Sequence, residues 1–327
     1  MRLTAQYDEA GVNMDYFDLH CDTISACHSK RQALNSNTLH LSLDKAKGFT
    51  KWVQVFALWI PDKFHGASAQ THCELLLHRF QRELAQNENR VEHWKNGTPS
   101  PQEGRCTAVL SLENASALNG DIEYLYRLHG AGVKLITLTW NGVNQVGCGA
   151  LSGKKKGLSD FGFALLDEMA RLGIAADVSH LNEAGFDEVA QRENVPMLAS
   201  HSNAAAVWPH GRSLTDAQIR VLIARRGLMG LCFCRDFLGG ADCAGRVEIH
   251  RQVEYVLSLG GEDILALGSD FDGAEIPPEL NSIGSVPALY VDLAARGIPQ
   301  GILQKIFYDN AMRFFTRNRL QQTKSAV

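Results

Sequence analysis

The order of apolar and amphipathic segments in this 327-residue chain predicts an α/β fold, a (β/α)8 barrel of the TIM type laid out as one domain over residues 1–327. Three observations carry that prediction. Apolar runs short enough for buried strands alternate with segments of helical spacing about eight times, the pattern of a parallel barrel. No glycine fingerprint of an open nucleotide-binding sheet interrupts that order. Side chains able to hold a metal also recur at one structural place: His20, Asp22, Glu113, His180 and His201 each follow a short apolar run, at the point where a buried strand ends.

The first run, 16–19, leads into His20-Cys21-Asp22. Runs at 52–58 and 107–112 follow, the second ending on Glu113; between them 73–85 has helical spacing and 86–104 is a polar surface excursion. The run 133–139 precedes Trp140-Asn141. Ser159-Asp160 caps a helix over 163–172, and Gly173 stands where a C-cap glycine belongs. The run 174–178 precedes His180, a helix over 184–192 follows, and 197–199 precedes His201. Ser213 to Asp216 is rich in capping residues ahead of a helix over 215–224. The last two runs, 228–233 and 264–267, flank a helix over 247–259, and 277–284 reads as an irregular loop.

Composition narrows the class. The formal charge of -4 and scattered Lys and Arg residues argue against a nucleic-acid surface; the one basic run, Lys154-Lys155-Lys156, reads as a solvated loop. No run approaches the roughly 18 apolar residues of a membrane helix, and the first sixteen residues lack a secretory apolar region, so a soluble, cytoplasmic protein is the expectation. Eight cysteines in so long a chain read as reduced thiols, with Cys232 and Cys234 on one face of a strand. Gly149 to Lys154 is no phosphate loop, because Cys148 replaces the first glycine and Lys155 the Ser or Thr.

His20 and Asp22 share one side of an extended segment and can reach one ion, although a His-x-Asp at a strand end more often forms a hydrogen-bonded pair or a helix cap. Glu113 ends a run buried on both faces, where a carboxylate is costly unless paired or bound to a cation. His180 and His201 are Ser-His dipeptides at the same place on successive strands, which favours ligation over two satisfied core imidazoles. Asp270, after Gly268-Ser269, suits proton transfer to and from water or is a turn aspartate. Arg212 follows the sixth run and suits a bidentate clamp on a substrate carboxylate or a surface salt bridge.

These residues resemble the renal, or membrane, dipeptidase family of dinuclear zinc peptidases within the amidohydrolase-like barrels, a metal-dependent hydrolase architecture. The resemblance runs from about Asp18 to Phe315 and rests on Asp18-Leu19-His20-Cys21-Asp22, Leu112-Glu113-Asn114, Ile136-Thr137-Leu138-Thr139, Gly157-Leu158-Ser159-Asp160, Asp177-Val178-Ser179-His180, Ser200-His201-Ser202 and Gly268-Ser269-Asp270-Phe271-Asp272-Gly273. It implies two zinc ions per chain, one on His20 and Asp22, the other on His180 and His201, with Glu113 bridging. It further implies Asp270 as the acid-base aspartate, Arg212 as receiver of the dipeptide's terminal carboxylate, and a homodimer. The chain departs from the renal enzymes in having Trp140-Asn141 where they have a His that polarises the scissile carbonyl. This looks like a bacterial-type variant, in which Asn141 is expected to take part of that catalytic role and Trp140 to contact substrate. The lipid anchor of the mammalian enzymes is not expected.

The activity so implied is hydrolysis of small dipeptides by a hydroxide shared between two metals roughly 3.5–4 Å apart. Residue types alone leave open a related dinuclear amidohydrolase acting on a lactone, phosphotriester or cyclic amide. A non-catalytic ligand-binding barrel is the remaining alternative.

Overall fold

In a computed structural model, which describes residues 13–320, eight parallel strands close into a barrel with helices outside. The strands are β1 (Met14–Cys21), β2 (Phe49–Trp59), β4 (Cys106–Glu113), β5 (Val133–Thr137), β6 (Ala175–Asp177), β7 (Met197–Ala199), β8 (Leu228–Leu231) and β9 (Leu265–Leu267). Closure comes from β1 beside β9 at Asp18↔Leu267. The TIM-type barrel read from the sequence is therefore the fold observed.

The longest ladder joins β2 to β4, residue by residue from Trp52↔Cys106 to Trp59↔Glu113, and every residue of β4 is buried. Continuous burial on both faces is what a strand walled by helices outside and side chains inside requires. The interior is filled by Phe17, Leu19, Val53, Val55 and Val109, which pack with Phe314 and Phe315 of the last helix, α11 (Asn310–Leu320). That helix plugs the N-terminal end of the barrel and leaves the other end free for polar chemistry.

Helix boundaries follow local chemistry. In α4 (Asp160–Leu172) the Ser159 side chain accepts from Gly162 N–H and Gly173 closes the helix at φ 65°. In α6 (Asp216–Arg225) Thr215 and Gln218 form a reciprocal capping box. The helix expected over 73–85 is longer, α2 (Ala67–Gln86), because its polar first turn carries no apolar periodicity.

Several boundaries differ from expectation. The excursion 86–104 carries a three-residue strand, β3 (Val91–His93), which pairs with the start of β4 on the side that β5 takes up from Leu110 onward. The runs 133–139 and 228–233 leave the ladder at Thr137 and Leu231, and their last two residues are buried loop. The segment 277–284 is irregular but anchored, with Leu280 and Ile283 buried in short 3-10 turns. Among the described residues no helix is long and apolar enough to cross a membrane. All eight cysteines are buried free thiols, and Lys154, Lys155 and Lys156 are exposed.

Candidate metal centre

Each candidate ligand leaves its strand at the C-terminal end of the barrel. The register of β1 on β2 slips between Asp18 and Cys21, and the chain there turns His20 and Asp22 to the mouth. Glu113 is the last residue of β4, while His180 and His201 follow β6 and β7. His180 and Asp270 adopt left-handed backbone at φ 69° and 61°, which non-glycine residues rarely do unless the surroundings hold them.

Two buried carboxylates impose those turns. Asp18 accepts from the backbone N–H of His20 (3.3 Å) and Ser269 (2.8 Å) and from Ser269 Oγ–H (2.6 Å). Asp177 accepts from the N–H of Ser179 (3.0 Å) and Ser200 (2.9 Å) and from the hydroxyls of Ser200 and Thr137, both at 2.6 Å. Each thus ties its own strand end to a neighbouring one with charge-assisted bonds. In the sequence these aspartates stand out only as parts of motifs. Their signal was a carboxylate inside an apolar run, two and three residues ahead of a histidine.

The mouth brings all five predicted ligands together. Glu113 Oε2 lies 3.5 Å from His20 Nε2; Glu113 Oε1 lies 3.1 Å from His180 Nε2 and 3.9 Å from His201 Nε2. Asp22 Oδ2 is 3.2 Å from His20 Nε2, and Asp270 Oδ1 is 3.8 Å from the same nitrogen. Asp22 precedes the helix α1 (Thr23–Ser29) but makes no capping bond, and its Oδ1 is buried without a partner.

The donor chemistry fits cations. Burial opposes charge on His20, yet the carboxylates of Glu113, Asp22 and Asp270 outweigh it and raise the imidazole to about 10. A proton on His20 thus stands where a metal would balance three buried acids. Burial likewise pushes Glu113 well up and Asp270 up to about 7, Asp22 adding repulsion in both cases. His180 and His201 are held well down by burial and by neighbouring positive groups, which leaves neutral imidazoles of the kind a metal binds. Ser200 donates its hydroxyl proton to Asp177, so its oxygen, 2.8 Å from His201 Nδ1, accepts there and leaves His201 Nε2 free for the centre.

A cavity of about 490 Å³ opens over this cluster, a size suited to a small substrate. Arg212 borders it, 4% exposed, with one N–H on the His201 carbonyl (3.4 Å) and the guanidinium 5.6 Å from the Phe237 ring centre. Among the described residues it pairs with no carboxylate, and its Nε is buried without a partner. Trp140 lines the wall edge-on to Trp59, centroids 5.2 Å apart. Asn141 also borders the cavity, but its Oδ1 lies 3.0 Å from His180 Nδ1, so its main contact is with a candidate ligand. Cys232, read only as a reduced thiol, points its Sγ at Asp270 Oδ2, 3.6 Å away.

Residues 5–326 match the model of a family described as membrane dipeptidase (peptidase family M19). The crystal structure of dipeptidase AC, a metallopeptidase of family M19, superposes with a TM-score of 0.84 at 27% identity, covering 94% of this chain and 99% of that one. A Rhodobacter sphaeroides metallopeptidase, solved with a phosphinate mimic of the dipeptide L-Ala-D-Ala, gives 0.84 at 26% identity over the same shares. An uncharacterized protein in the pqqA 5′ region of Klebsiella pneumoniae is 35% identical over 215 residues, 63% of this chain and 79% of that one. With a barrel of this closure and a metal-type cluster at its mouth, the chain belongs to the membrane dipeptidase family, peptidase family M19, and is a metallopeptidase.

Proposed function

We propose that this protein is a zinc-dependent dipeptidase that hydrolyses the single peptide bond of small dipeptides. The observation that carries the reading is the position of Glu113, with one carboxylate oxygen toward His20 and the other toward His180 and His201. A bridging carboxylate between two nitrogen-and-oxygen donor sets suits a pair of divalent ions, and imidazole with carboxylate suits zinc. His20 and Asp22 hold one ion, His180 and His201 the other. When bound, such ions would supply Lewis acidity toward water and toward the carbonyl oxygen.

The chain's own groups supply the remainder. Arg212, buried and without a carboxylate partner, receives the terminal carboxylate and sets the peptide bond over the cluster. Asp270 takes a proton from the attacking water and returns it to the departing amine; burial raises its affinity for that proton. Asn141 works through His180, fixing its ring by accepting from Nδ1–H, and Trp140 closes the wall beside it. Release of amino acids from mixed L,L and L,D dipeptides, abolished by chelation and restored by zinc, is the expected result. A preparation that cleaves lactones or cyclic amides but no dipeptide would overturn the reading.

A further inference from the structure

The cavity extends well beyond the cluster, and its two ends lie on opposite sides of the barrel. Around the closed sheet the strands run β1, β2, β4, β5, β6, β7, β8, β9, so β2 faces β7 across the mouth. Arg212 follows β7. The far wall comes from α1, from the loop after β2 and from α2, and it presents His28, Lys30, Lys63 and His72.

The positive charge of that wall comes from its two lysines. Neither Lys30 nor Lys63 is paired with a carboxylate among the described residues. Lys63 Nζ stands 5.2 Å from the Phe64 ring centre, Phe64 stacks on His72 at 4.5 Å, and His28 meets His72 edge-on at 6.4 Å. Burial lowers the basicity of His72, and His28 and Lys63 lower it further. Two acids stand on this side outside the metal cluster, and both are engaged by hydrogen bonds: Asp62 accepts from Gly142 N–H (2.7 Å) and Asn114 Nδ2–H (3.2 Å), and Asp272 accepts from Thr23 Oγ–H and His40 N–H, both at 2.6 Å.

A dipeptide with its terminal carboxylate on Arg212 and its peptide bond over Glu113 directs its N-terminal residue toward this wall. We infer that the His28–Lys30–Lys63–His72 end of the cavity is a subsite for an anionic side chain, so that dipeptides beginning with an acidic residue are preferred substrates. The inference rests on the dipeptidase reading. It adds a specificity that the cluster alone does not dictate, since Lys30 and Lys63 are exposed cations at the rim.

The test uses the zinc-loaded enzyme with Glu-Ala, Gln-Ala and Lys-Ala, each with L- or D-alanine at the C-terminus. Glu and Gln are nearly isosteric, so their ratio reads charge. The expected kcat/KM ratio of Glu-Ala to Gln-Ala is about tenfold at low salt, as for a side chain meeting two partly screened cations, and it shrinks as salt is added. In a Lys30→Gln, Lys63→Gln double variant that ratio falls toward unity. A ratio near unity in the unaltered enzyme, or one the double variant leaves intact, overturns the subsite while leaving dipeptidase activity standing. Failure to cleave any of the peptides overturns the dipeptidase reading itself, and the subsite with it.

Discussion

In the proposed function Asp270 moves a proton beside the cluster, while Asn141 holds the candidate ligand His180. Asp270→Asn removes the proton carrier but retains a side chain of the same shape, so turnover should fall about 10²–10⁴-fold with metal content unchanged; stopped assays with elemental analysis check both. Loss of metal with turnover would instead make Asp270 a ligand. Asn141→Ala frees His180 Nδ1, and the expected result is metal affinity weaker by about 10–100-fold, read by competition with a chelating dye. Unchanged affinity with a fall in kcat alone would return Asn141 to the carbonyl. At this scale the cluster was legible because carboxylates and imidazoles recur at strand ends. The supporting contacts were not: Ser200 and Ser269 look like any serine until Asp177 and Asp18 are seen to fold back on them. The partner of Asn141 depends on a loop path that Gly142 N–H fixes on Asp62, 80 positions away in sequence.

β3 shows how an element escapes sequence reading. Three residues in a polar stretch carry no usable period, yet Val91 to His93 pair with β4 and put His93 edge-on against Phe80, centroids 5.1 Å apart. Burial, reinforced by Lys134 and Lys95, lowers His93 from its usual range to about 4. Its folded pKa therefore lies below the unfolded value of about 6.5, so the unfolded chain takes up the proton first. The neutral ring contributes fully above pH 6.5, and that contribution is lost as pH falls toward 4. After discounting for partial exposure, the loss should be about 1–2 kcal/mol. Denaturant unfolding of the unaltered protein and of His93→Gln checks this: the stability difference between them should shrink by that amount from pH 7 to pH 4.5, and a constant difference would contradict it. The long strands were easier to place, because in β2 and β4 burial on both faces leaves continuous apolar runs. Their ends were less so: the residues after Thr137 and Leu231 stay apolar while the backbone has already left the sheet.

In the whole molecule, the barrel brings together ligands separated by as many as 181 positions, from His20 to His201, and seals its other end with α11. Alternation of strand and helix made the closed fold legible, but not the cavity's two-ended charge, since His28, Lys63, His72 and Arg212 meet only once β2 and β7 face each other. Concentrating three carboxylates and three imidazoles in one buried cluster calls for compensating positive charge, which bound metal ions would supply. Chelation should therefore lower the thermal midpoint by several degrees, and re-added zinc should restore it. An unchanged midpoint would mean that no cation balances the cluster. The most direct test of Glu113 as the bridge is elemental analysis of the unaltered protein and of Glu113→Gln, purified side by side. The account predicts about two zinc ions per chain in the first, with loss of one or both and of dipeptide cleavage in the second. No bound metal in the unaltered protein, or full metal content and activity in the variant, would contradict it.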